Sequence, residues 1–214
     1  MRKLIPMFPL QLVVFPGEEL NLHIFEPRYR QLIGECESEG ITFGIPAFID
    51  GKVSELGTEI RLINIEKRHP GGEMDIRTEG VGVFQIDRFY RQALEKPYSG
   101  AEVTSLELDL DEDESVNEQI LALTRDLFQV LGIRKKLPET ADNFLTYQIG
   151  HHVGFSIGQE YELLSLRNAI ERQELMLLHL ERVVPMAREM ENLRVRAQMN
   201  GHFKNVIPPD LKNL

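Results

Sequence analysis

The sequence predicts an α+β fold: a β-rich N-terminal region followed by a C-terminal helical bundle with a long, kinked last helix. Three observations carry this expectation. Short apolar runs punctuated by Gly and Pro occupy the first half of the chain. From Val116 onward, apolar residues recur at intervals of four and three. Pro185 falls inside the last such stretch, where its ring removes a helical donor. The expected division is a β-rich domain over residues 1–110, a helical bundle over 111–200, and a loosely ordered tail over 201–214.

Each element has a local signal. Leu12–Phe15 is an apolar run closed by Pro16-Gly17. Leu20, Leu22 and Ile24 alternate with Asn21 and His23, the period of a half-buried strand. Pro27 suits a first helical position, Tyr29, Leu32, Ile33 and Cys36 follow at helical spacing, and Gly40 marks the stop. Strands are expected over Ile41–Ile49, around Ile60–Ile65, over Met74–Thr78 and Val81–Ile86, and over Ala101–Leu108. Asp50-Gly51 and His69-Pro70-Gly71-Gly72 supply turns. In the helical half, Ser115 and Glu118 have capping-box spacing, and Val116, Ile120, Leu123, Leu127 and Val130 define one apolar face ending at Gly132. Ala141–His152 is a second segment, Ser156 and Gln159 form another capping box, and a long helix runs from about Leu166 to Gln198.

Composition narrows the function. The 214 residues include 24 Lys+Arg and 34 Asp+Glu, a formal net charge of −10. Eight acids and no base lie between Glu102 and Glu118, and removing them takes the charge from −10 to −2. A basic face able to release counterions from a phosphate backbone is not evident, so nucleic acid is not the expected partner. The lone Cys36 excludes an internal disulfide and a multi-cysteine zinc site. No apolar run is long enough for a transmembrane helix. A reducing cytoplasm is the expected location.

No catalytic constellation emerges. Gly154-Phe155-Ser156-Ile157-Gly158 matches the G-x-S-x-G nucleophile elbow, but its flanks read helix–loop–helix rather than strand–turn–helix. Asp109, Asp111 and Asp113 resemble the start of a calcium loop, yet Glu114 and Ile120 stand where that loop needs Gly and a bidentate Glu. His151 and His152, adjacent on a helix, point about 100° apart and do not suit one ion. His23 is expected as a hydrogen-bonding surface residue and Cys36 as core. No nucleotide-binding G-x-x-x-x-G-K-[ST] is present. Catalytic residues, cofactors and metals are accordingly expected to be none.

Met7-Phe8-Pro9-Leu10, Val13-Val14-Phe15-Pro16-Gly17 and Leu22-His23-Ile24-Phe25-Glu26-Pro27-Arg28-Tyr29 together resemble the opening of the N-terminal, substrate-binding domain of Lon-type ATP-dependent proteases. Glu55-Leu56-Gly57-Thr58-Glu59-Ile60 and Thr78-Glu79-Gly80-Val81-Gly82-Val83-Phe84 resemble later blocks of that family, with Val83 where the pattern usually has Arg. The resemblance continues weakly through Glu160–Val184. It implies a PUA-like pseudo-barrel followed by a helical bundle. In the full proteases an ATPase and a Ser-Lys peptidase follow; here a standalone, non-enzymatic module is expected.

The function expected from this resemblance is binding of unfolded or specific protein segments, as an adaptor to a separate protease or chaperone. A groove at the junction of the β unit and the helices, or an open strand edge, would hold the segment. Phe25, Arg28, Tyr29 and Phe48 are the candidate binding residues. Gly57, Gly80 and Gly82 are expected where backbones approach closely. RNA binding, by analogy with PUA-like modules, and a serine hydrolase using Ser156 are the alternatives. Oligomeric state is left open; Met176, Met186, Met190 and Met199 would suit either an interface or core filling.

Overall fold

A computed structural model of the chain describes residues 2–203, with side chains through residue 198. In chain order the first elements are β1 (Arg2–Met7), β2 (Glu19–Ile24), α1 (Pro27–Glu39), β3 (Phe43–Ile49), β4 (Lys52–Arg68), β5 (Met74–Tyr90) and β6 (Ser99–Leu106). Then come α2 (Glu114–Leu131), a 3-10 helix (Thr146–His152), α3 (Ile157–Ser165) and α4 (Ala169–Phe203). Among the described residues, no helix is long and apolar enough to cross a membrane.

The chain forms two compact units. One comprises Met1–Glu112 with Leu145–Arg172, the other Asp113–Phe144 with Gln173–Leu214. The units therefore do not follow the linear division expected at residue 110: residues 145–172 group with the sheet. Of the tail expected from residue 201, the first three residues continue α4, and 204–214 lie outside the described residues.

In the first unit the strands are ordered β2-β5-β4-β3-β1-β6, and β6 also pairs with β5. Five strands thus close on themselves as a barrel, and β2 lies beside the first half of β5. All pairings are antiparallel except β1 with β3. Helix α1 forms where the spacing predicts: Tyr29, Leu32, Ile33 and Cys36 are buried, and Gly40, at φ 68°, turns the chain out of the helix. Leu32 and Ile33 each contribute about 1.5–3 kcal/mol on burial. Cys36 is 4% exposed, and burial pushes its thiol up to about 12, which disfavours the thiolate.

Several strand expectations change. The fragments around Ile60–Ile65, Met74–Thr78 and Val81–Ile86 belong to two continuous 17-residue strands, β4 and β5. Bulges between Glu59/Ile60, Leu62/Asn64 and Ile65/Lys67 shift their register, which breaks the alternation visible in sequence. Leu12–Phe15 is not a strand but a buried loop: Val13, Val14 and Phe15 are each at most 2% exposed. The Thr58 hydroxyl donates to the Val14 carbonyl there. A Cβ on Gly80 would lie 2.5 Å from the Phe15 carbonyl oxygen, and one on Gly57 2.7 Å from the Pro46 Cα, whereas at Gly82 nothing lies within 4 Å. The first two glycines are required by close approach and the third is not.

In the second unit, α2 is capped by Asp113 rather than Ser115. The Asp113 carboxylate accepts from the Val116 backbone N–H at 3.1 Å and from the Ser115 hydroxyl at 2.6 Å. A carboxylate here also complements the helix dipole. The buried face is rotated from the expected one: it consists of Asn117, Ile120, Leu121, Thr124, Leu127 and Phe128. Asn117 and Thr124 are accommodated because Asn117 donates to the Phe144 carbonyl and accepts from Gln173, while Thr124 donates to the Ile120 carbonyl. Residues 141–145 are turn and loop, not the start of a helix. Helix α4 continues through Pro185. Met176 is fully buried, whereas Met186 and Met190 are 56% and 69% exposed; the Met199 side chain lies outside the described residues.

Candidate binding surface

The four candidate residues fall into two places on the first unit. Phe25 lies in the two-residue connection between β2 and α1 and is 63% exposed. Arg28, in the first turn of α1, donates from Nε to Glu26 Oε2 at 2.9 Å. Its guanidinium carbon sits 4.6 Å from the centre of the Tyr29 ring. Tyr29 is only 5% exposed and stacks on Phe8 with centroids 3.9 Å apart; burial raises its hydroxyl pKa. The result is a layered corner, with Phe8 and Tyr29 beneath and Arg28 above. Phe48 is half-buried on β3, where its backbone N–H donates to the Leu10 carbonyl at 2.7 Å. Among the described residues no ring contact joins Phe48 to the corner.

β2, which leads into this corner, has β5 as its one strand partner among the described residues. Its other edge has no strand partner among the described residues, and Glu19, Asn21 and His23 are exposed on the face of β2. Such an edge presents backbone donors and acceptors to any added strand.

Sequence reasoning placed His23 on the polar side of a strand but missed its companions. The β2–β5 register sets His23 directly opposite Asp75, and their Nδ1 and Oδ1 lie 2.6 Å apart. His69, in the turn after β4, brings its Nε2 to 2.8 Å from Asp75 Oδ2. Hydrogen bonds from His23 and His69 hold the Asp75 carboxyl below its ordinary range. The signal available in sequence was only that His69-Pro70-Gly71-Gly72 makes a turn. A separation of 52 positions between His23 and Asp75 is bridged by register alone.

His151 occupies a different place. Its Nε2 lies 3.1 Å from Glu18 Oε2, its Nδ1 2.8 Å from Glu160 Oε1, and its ring 4.7 Å from that of Phe15. Ser156, exposed, caps α3: its Oγ accepts from the Gln159 N–H at 3.4 Å, and the Gln159 side chain accepts from the Ser156 N–H at 3.0 Å. Both halves of the expected capping box are present. The segment before it is a 3-10 helix and turn, so the strand-to-helix strain that exposes an elbow serine does not arise here.

The closed barrel with its flanking strand and helix can be set beside known proteins. The family model for the ATP-dependent protease La (LON) substrate-binding domain matches residues 4–182. The chain belongs to this family. Among solved structures, a Lon N-terminal domain protein from Xanthomonas campestris is 25% identical over 82% of this chain and 98% of its own, with a TM-score of 0.64. The N-terminal domain of Mycobacterium avium complex Lon protease has the same fold at 15% identity, covering 84% of this chain and 98% of its own, with a TM-score of 0.60. A search of curated proteins gives no match. This member of the LON substrate-binding domain family thus keeps the family's β-rich sheet followed by helices.

Proposed function

We propose that this chain binds extended, apolar segments of protein substrates without acting on them chemically, and delivers them to a separate protease or chaperone. The segment adds a strand to the open edge of β2, and its side chains meet Phe25. The observation that carries this reading is the pairing of an unpartnered edge with a 63% exposed phenylalanine at its end. Backbone pairing along an edge gives affinity without sequence demand, and an aromatic anchor adds preference for apolar residues. Arg28, fixed by Glu26 and the Tyr29 ring, offers a cation to a peptide acid. Phe48, half-buried on β3 and apart from this corner, takes no part in this reading.

Fluorescence anisotropy with labelled, extended apolar peptides tests this reading. Saturable binding is expected, weakened at least tenfold by Phe25→Asp with the thermal midpoint unchanged, since the side chain is exposed. Binding that is absent, or equally tight to Phe25→Asp, overturns it.

A further inference from the structure

We propose that His23, His69 and Asp75 form a binding site for a divalent transition-metal ion of the zinc class, held by two imidazoles and one carboxylate. The three donor atoms lie within 4.8 Å of one another. Zinc bound at about 2.0–2.2 Å from each ligand needs donor atoms roughly 3.3 Å apart. The two histidines now meet different oxygens of the carboxylate, His23 at Oδ1 (2.6 Å) and His69 at Oδ2 (2.8 Å), both at hydrogen-bond distance and shorter than that spacing. Rotation about the side-chain torsions has to bring both ring nitrogens and one Asp75 oxygen to that spacing, and the exposed His23 and half-buried His69 and Asp75 are not locked in a packed core.

The backbone beneath the three residues is fixed. His23 and Asp75 are register partners on adjacent strands. The His69 N–H donates to the Glu73 carbonyl at 2.8 Å, and the Gly72 N–H to the His69 carbonyl at 2.9 Å, closing the turn that presents the ring. The His23 and His69 rings meet edge to face with centroids 5.5 Å apart, so both address the same carboxylate from different directions. The group borders a surface cleft of about 510 Å³ that Glu66 also lines. An ion can enter from solvent, and water can complete its coordination.

The chemistry selects the ion. Imidazole nitrogen favours zinc, nickel, copper and cobalt over calcium and magnesium, which prefer all-oxygen shells. Three protein ligands leave a tetrahedral ion one open position. The site is separate from the proposed peptide edge in what it binds, and its test does not depend on finding a peptide.

The test is calorimetric titration of the full-length, chelator-stripped protein with zinc chloride, followed by cobalt(II) absorption spectroscopy. One zinc per chain is expected, with the cobalt protein showing the intense visible bands of a four- or five-coordinate ion. His23→Ala and His69→Ala should each weaken zinc at least tenfold, while His152→Ala leaves it unchanged. In the unsubstituted protein, sub-stoichiometric copper(II) should broaden the His23 and His69 ring resonances before those of the other histidines, a readout that needs no variant. The absence of stoichiometric zinc binding overturns the site. So does binding of equal affinity in the folded His23→Ala and His69→Ala proteins, or broadening that begins at another histidine.

Discussion

Arg172, near the start of α4, forms an ion pair with Glu112 at 3.3 Å, the two side chains being 0% and 1% exposed. Both side chains make further hydrogen bonds nearby. The Thr146 N–H and hydroxyl donate to the Glu112 carboxylate at 2.9 and 2.8 Å, and Arg172 donates to the Leu166 carbonyl at 3.2 Å and to the Asp109 carbonyl. The guanidinium also sits 4.9 Å from the centre of the Tyr147 ring. Removing one member leaves a buried charge unanswered, at a cost of about 3–5 kcal/mol. Glu112→Ala should lower the urea midpoint accordingly. The double variant Glu112→Leu, Arg172→Met should cost less than the two single changes added together. Additive losses would show that the pair is not coupled.

His151 makes stability depend on alkaline pH. Burial opposes its charged form, but the Glu18 and Glu160 carboxylates outweigh burial and raise its pKa from 6.5 to about 9. Both ring nitrogens can donate only as imidazolium. Because the folded pKa lies above the unfolded one, this contribution is complete below about pH 6.5 and is lost as pH rises through about 9. A loss of about 1–3 kcal/mol is expected across that window. Denaturation at a series of pH values should show it, and His151→Gln should flatten it. A ring NMR titration midpoint near the ordinary histidine value would contradict the assignment.

Gly150 lies against the Phe15 ring. A Cβ there would fall 2.5 Å from Phe15 Cε2, 2.8 Å from Cζ and 3.2 Å from a Leu163 methyl carbon. Phe15 is 1% exposed and stacked on Tyr147 at 5.3 Å, so the ring has little room to retreat. Gly150→Ala should cost about 1–3 kcal/mol through overpacking, measured as a lower thermal midpoint. Pairing it with Phe15→Leu should recover part of the loss.

Local signals were legible wherever one short segment contained the whole cause. Pro27, the Tyr29–Cys36 spacing and Gly40 give α1 both its limits and its buried face, and Ser156 with Gln159 gives the start of α3. The α2 face could not be read by counting apolar residues, since Asn117 and Thr124 are buried on partners that only the tertiary fold brings near. β1 was missed because Leu4 is exposed and Pro6 interrupts the run, leaving only Ile5 and Met7 buried. Glu112 looks like its neighbours in an acidic stretch; nothing local distinguishes the one carboxylate that meets a buried arginine. Of the candidate site, Phe25 and Arg28 were placed by the block that carries the family resemblance. His69 and Asp75 had to await the strand register.

The discontinuity of the sheet-bearing unit has a consequence for how the protein is made. Glu112 leaves the ribosome 60 residues before Arg172, an interval of about 3–12 s at ordinary rates of synthesis. Throughout that interval the barrel strands are all available to pair, yet the acid destined for the interior has no cation to meet. Completion of this buried ion pair must wait on a residue translated after the whole of α2. A nascent chain paused short of Arg172 should therefore be far more open to protease than one paused beyond it.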